Sequence, residues 1–152
     1  MSTNVKSDTR NVAYAVVLVA IGVALAPYTS FPIGIAKVNP TQHFVNVIGA
    51  ILLGPWWATI IAAIIGVIRN VMGVGTLLAF PGGMIGAFLA GFFYRRALNL
   101  YMGAVGEVAG TGFIAPVVSA MFVAPVLMGK AIPFLALIPS FLASSLAGAI
   151  LG

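Results

Sequence analysis

Apolar stretches alternate with short polar, glycine-rich or proline-rich breaks along nearly the whole chain. Six of these stretches approach the ~20 residues an α-helix needs to cross ~30 Å of hydrocarbon. They run over about 11–27, 41–53, 56–72, 77–94, 101–128 and 131–152, after a polar tail at 1–10. The longest break, Tyr28 to Pro40, contains Pro32, Gly34, Lys37 and Pro40 and reads as an irregular loop. Gly54-Pro55, Gly73-Val74-Gly75-Thr76, Arg95-Arg96 and Gly129-Lys130 mark the other breaks. The pattern predicts an all-α membrane protein, a six-transmembrane-helix bundle forming one integral membrane domain over residues 1–152.

Composition agrees. The 152 residues are 62% hydrophobic and 6% charged, whereas soluble domains carry about 25% charged residues and need them to face water. The formal charge of +5 is no nucleic-acid signal, because the basic residues stand singly or in one pair, as helix-end anchors do. No cleavage site follows Met1 to Arg10, and the stop at Gly152 without a polar tail raises the expectation of a truncated C terminus. With six spans both termini share a side. Lys6, Arg10, Arg95 and Arg96 lie there, against Lys37, Arg69 and Lys130 opposite, which puts the termini in the cytoplasm. Trp56 and Trp57 then sit at the inner interface, and the loops after spans 1, 3 and 5 face outward.

Small residues recur every four positions, which places them on one helix face and lets backbones approach closely. Gly82, Gly86 and Ala90, Gly106 and Gly110, and Ser144 and Gly148 predict packing within the bundle. On span 1 the series Ala20 and Ala24, and Gly22 and Ala26, serves either packing or a partner protein.

Polar residues at the mouth of an apolar helix need a partner, since unpaired burial is costly. Gln42, His43 and Asn46 form such a group, three and four residues apart on one face. They suit a small heterocycle with ring nitrogens and a hydroxyl; the alternative is a solvated cluster behind a helix cap at Asn39 or Thr41. Arg69 and Asn70, followed by Gly73 and Gly75, offer a second wall, although arginine at a helix end also snorkels to headgroups. Phe80 before Pro81-Gly82-Gly83 can stack on a flat ring or simply pack in the core. Glu107 is the only acid beyond the tail; contact with a ligand, an ion pair with Arg95 or Arg96, and a protonated carboxyl all fit. Lys37 fits an interfacial charge or a ligand contact. One histidine with no cysteine forms no metal set, and no nucleophile–base pair, carboxylate pair or phosphate loop supports catalysis.

The ordered motifs Lys37-x-x-Pro40-x-Gln42-His43-x-x-Asn46, Gly54-Pro55-Trp56, Arg69-Asn70-x-x-Gly73-x-Gly75, Phe80-Pro81-Gly82-x-x-x-Gly86 and Gly106-Glu107-x-x-Gly110-Thr111-Gly112 resemble the ThiW family. Its members are substrate-binding (S) components of energy-coupling factor (ECF) vitamin transporters. The resemblance implies a six-helix S-component fold and uptake of a thiamine precursor, hydroxyethylthiazole. It also implies partners, a transmembrane coupling protein and two ATP-binding subunits, with no cofactor in this chain because the partners use the ATP. Substrate would meet Lys37, Gln42, His43, Asn46, Arg69, Asn70, Phe80 and Glu107, and helix 1 would dock through an alanine stripe matched by Ala13, Ala20 and Ala24. Two positions depart from the family pattern: Val17 interrupts that stripe, and Gly83 stands where serine is expected. Alternatives are an S component for another vitamin or a pyrimidine precursor, and a small autonomous carrier or channel.

Overall fold

The structure is a computed structural model that describes residues 2–152, with side chains from Asp8 onward. Met1 and the side chain of Lys6, both assigned to the polar tail, lie outside the described residues. Six helical rods follow one another: α1 (Ser2–Thr29), α2 (Pro40–Leu53), α3 (Pro55–Val71), α4 (Ala79–Ala97), α5 (Leu100–Leu127) and α6 (Phe134–Leu151). Three described segments are long and apolar enough to cross a membrane: Asp8–Thr29, Leu100–Leu127 and Phe134–Leu151. Helix α2 has 14 residues, hence a length of about 21 Å, less than the hydrocarbon thickness. Helix α1 starts well before the expected boundary at Asn11, because no glycine or proline breaks the chain there.

The break from Tyr28 to Pro40 is not irregular. It folds into an antiparallel hairpin, β1 (Phe31–Ile33) with β2 (Ala36–Val38), in which Ile33 faces Ala36. Gly34 has φ +61 at the first of the two turn positions, the place where a tight hairpin favours glycine. Pro32 is accommodated because a two-stranded sheet has only edge strands. The hairpin ends at Asn39, whose side-chain oxygen accepts from the Gln42 backbone N–H at 2.8 Å and caps α2, with Pro40 in the first turn.

The core is layered. Ala15, Leu18, Val45, Leu53, Ile61 and Ile65 join α1, α2 and α3. Ala50, Ala58, Ala62, Ala87 and Ala90 carry the contact on to α4. Ala36, Leu78, Ala115, Ala124, Leu137 and Phe141 join the hairpin to α5 and α6. Outside these layers many large apolar side chains are exposed, among them Val16, Trp56, Val71, Val126 and Ile150, as a lipid-facing surface requires.

Glycine governs the closest crossing, α4 against α5. A Cβ on Gly110 would stand 2.9 Å from the Gly86 Cα, and one on Gly106 would meet the Leu89 carbonyl and, at 2.9 Å, the Ala90 nitrogen. The stripes on α4 and α5 thus serve packing within the bundle. On α1 the two series separate: Gly22 and Ala26 are buried, with Gly22 against Ile65, while Ala20 and Ala24 are exposed. Helix α5 itself widens to π-helical turns at Gly110–Ile114 and Ser119–Leu127. Pro116 and Pro125 lack an N–H and would crowd the carbonyls four residues back, which a wider turn relieves.

Gly106→Ala should lower the melting temperature of the purified protein, since overpacking costs about 1–3 kcal/mol. Gly103→Ala on the same helix should be tolerated, because its nearest neighbour would be Tyr94 Cβ at 3.6 Å. Equal melting temperatures for the two variants would contradict the close crossing.

Candidate functional site

Helix α2 carries Asn39, Gln42, His43 and Asn46 at its start, spaced so that all four share one face. All are buried, and Asn46 is 0% exposed, so each must find its partners inside the bundle. Gln42 donates to the Ala62 carbonyl at 3.3 Å and accepts, through Oε1, from Arg69 Nη1. His43 Nδ1 lies 2.6 Å from Glu107 Oε1. Asn46 donates to Glu107 Oε1 at 3.1 Å and to the Gly83 carbonyl at 3.0 Å. Thr111 Oγ1, one turn beyond Glu107, lies 3.0 Å from the same oxygen and 2.9 Å from the Gly82 carbonyl, with one hydroxyl proton to share between the two acceptors. One carboxylate oxygen therefore gathers α2 and α5, while the glycines of α4 leave room. A Cβ on Gly86 would stand 2.6 Å from Glu107 Oε1.

This network backs a cavity. Its walls are Ala36, Lys37 and Asn39 from the hairpin, Gln42 and His43 from α2, and Arg69 and Thr76 from the end of α3 and the loop after it. Ala79 and Gly82 of α4, Thr111 of α5, and Ser140, Phe141 and Ser144 of α6 complete it. Free space within it is about 20 Å³, room for roughly one water. Lys37 Nζ donates to the Gly73 carbonyl at 2.7 Å, tying β2 to the loop after α3. Asn39 ties the hairpin to α6, its backbone N–H donating to Ser144 Oγ at 2.8 Å. With His43 Nδ1 directed to Glu107, Nε2 is the ring nitrogen left for a ligand; in the neutral imidazole whose Nδ1 holds the proton, it is an acceptor.

Of the residues expected to meet substrate, Lys37, Gln42, His43 and Arg69 line the cavity. Asn46 and Glu107 lie behind the wall and hold it in place. Glu107 does not pair with Arg95 or Arg96: Arg95 reaches the Leu53 carbonyl at 3.4 Å, and Arg96 lies 5.5 Å from the Phe92 ring centre. Asn70 serves the backbone, donating to the Gly66 carbonyl at 2.8 Å. Phe80 lies outside the wall, packed on α3 where a Cβ on Gly66 would be 3.1 Å from its ring; Phe141 is the aromatic at the cavity. Thr76, Ser140, Phe141 and Ser144 were missed as site residues. The signal for the last three was present as Ser140 and Ser144, one turn apart on an apolar helix with an aromatic between them. A Cβ on Gly83 would meet the Gln42 amide nitrogen, so a serine there would compete for Gln42.

A family model described as thiamine-precursor transporter protein (ThiW) matches residues 12–152. Three solved chains match. One, from work on the structure and mechanism of the S component of a bacterial ECF transporter, has TM-score 0.75 and 16% identity, over 94% of this chain and 90% of that chain. At that identity the likeness carries the fold. No curated protein matches significantly.

Glu107→Leu should destabilise the protein by about 1–3 kcal/mol, the cost of leaving a buried polar partner such as His43 Nδ1 unsatisfied. Glu107→Gln should retain most of that stability. Thermal unfolding in detergent measures both, and a Glu107→Leu variant as stable as the parent would remove the carboxylate from its organising role.

Proposed function

Because the chain belongs to the ThiW family of thiamine-precursor transporter proteins, a family of membrane transporters and not of enzymes, we propose that it is the substrate-binding component of an ECF-type transporter and that its substrate is hydroxyethylthiazole. One observation carries the reading. In a largely apolar bundle, the buried polar groups Gln42 of α2, Arg69 of α3, Thr111 of α5 and Ser140 and Ser144 of α6 converge with His43 on one cavity beside the hairpin. The apolar run lengths support six crossings and the charge bias of the loops supports cytoplasmic termini; in this reading the cavity faces the outer leaflet.

In this reading the Gln42 amide donates to the ring nitrogen, His43 Nε2 accepts from the hydroxyl, Phe141 offers its face to the ring, and Arg69 and Lys37 close the cavity. Asn46, Glu107 and Thr111 hold His43 in orientation, as outer-shell partners fix a ligating imidazole. The free space is smaller than a substituted thiazole, so entry requires a wall to move. The hairpin is one such wall, and the Lys37 bond to Gly73 is a tie that its movement would release.

Transport then needs a partner complex, a transmembrane coupling protein with two ATP-binding subunits, since this chain shows no phosphate loop. Ala13, Val17, Ala20 and Ala24 share one exposed face of α1. Three small side chains on that face support docking of a partner helix, and the valine sits within the same face.

Titration of the purified protein with hydroxyethylthiazole should saturate. His43→Ala should raise Kd at least tenfold, about 1.4 kcal/mol. An unchanged Kd would remove the His43 contact, and tighter binding of a pyrimidine precursor would move the reading to the other half of thiamine. Replacing Ala20 and Ala24 together by Trp should abolish cellular uptake while leaving binding intact. Uptake that persists in that variant, or in cells lacking the ATP-binding subunits, would count against docking.

A further inference from the structure

The cavity carries more charge than a neutral thiazole calls for. Lys37 and Arg69 are both on its wall, and no carboxylate is. The chain has two acids: Asp8 near the start of α1, and Glu107, whose Oε1 receives His43, Asn46 and Thr111 behind the wall. Both cations meet neutral oxygens alone. Arg69 donates to Gln42 Oε1 and, at 3.3 Å, to Ser30 Oγ, and Lys37 donates to the Gly73 carbonyl.

Burial makes this imbalance informative. Arg69 is 2% exposed, which excludes the headgroup contact that an arginine at a helix end otherwise makes. A buried guanidinium without a counter-charge is costly, and its Nε–H has no acceptor at all. The Thr76 hydroxyl on the same wall is also buried and unpartnered. An unpartnered guanidinium N–H, an unpartnered hydroxyl and an ammonium on residues that line one cavity are the donors that grip an oxyanion.

We propose that the cavity takes a heteroaromatic ligand bearing an oxyanion, a phosphate monoester or a carboxylate, with Arg69, Lys37 and Thr76 holding the anion and the ring lying toward His43 and Phe141. The inference rests on the cavity being the ligand site described above, and it changes the substrate from a neutral alcohol to an anion. On hydroxyethylthiazole the hydroxyl is the atom that would carry the phosphate.

Equilibrium titration of the full chain in detergent, with three probes, tests it. The probes are hydroxyethylthiazole, its phosphate monoester, and the thiazole with a carboxymethyl arm in place of the hydroxyethyl arm. At least one anion should bind tenfold or more tightly than the alcohol, and the two anionic arms distinguish phosphate from carboxylate. That advantage should vanish in Arg69→Gln and in Lys37→Gln, the second lying on the hairpin outside the helical core. The alcohol binding as tightly as both anions would overturn the oxyanion site while leaving the thiazole reading intact. An anion advantage that survives both substitutions would overturn it too. Anion binding without alcohol binding would support the oxyanion site and displace the neutral substrate. If no thiazole binds, the thiazole reading fails and inorganic phosphate decides the remainder. A phosphate-dependent rise in melting temperature, present in the parent and lost in Lys37→Gln, upholds the site; its absence overturns it.

Discussion

The structure depends on a single carboxylate oxygen. Glu107 Oε1 sits 0% exposed in an apolar bundle and lies within hydrogen-bond reach of His43, Asn46 and Thr111, at 2.6, 3.1 and 3.0 Å. In such surroundings a charge or an unpaired donor is expensive, so the four side chains constrain one another. The register of α2 against α5 follows from that constraint, and α4 can lie close beside them only because Gly82, Gly83 and Gly86 lack side chains. Removing a glycine and removing the acid are, physically, two ways to break the same joint.

From that joint the cavity is built outward. His43 and Gln42 leave the network toward the open space, and Gln42 passes the chain of hydrogen bonds on to Arg69. The hairpin covers what remains, fixed at one end by Asn39, which caps α2 while its backbone N–H bonds Ser144. A hydrogen-bonded network lies beneath the polar groups and a two-stranded hairpin lies beside them. That arrangement suits a protein that must admit a small molecule, hold it and release it.

Much of this was legible in the sequence. Apart from the start of α1, apolar run lengths marked the six rods within a few residues, since glycine and proline lie between such runs. The spacing of Gln42, His43 and Asn46 placed them on one face, and the alternation of loops placed Lys37, Arg69 and the start of α2 at one end. The hairpin was not legible. Three-residue strands carry too little periodicity, and Pro32 argued against pairing. The partners of Glu107 were left open between a ligand and Arg95 or Arg96, because the sequence does not say which helix lies opposite; they are His43 and Asn46. Phe80 and Phe141 look alike in sequence, and only the packing of α4 on α3 turns the first away from the cavity. Asn46 looked like a ligand contact, yet its amide belongs to Glu107 and Gly83.

A structure of the protein with its bound ligand tests the central claim most directly. The account predicts the ligand between the hairpin and α2, α3, α5 and α6, touching His43 and Gln42, with the His43–Glu107 contact intact behind it. A ligand seated elsewhere, such as the apolar groove between α5 and α6 lined by Tyr101, Phe113 and Leu146, would contradict it.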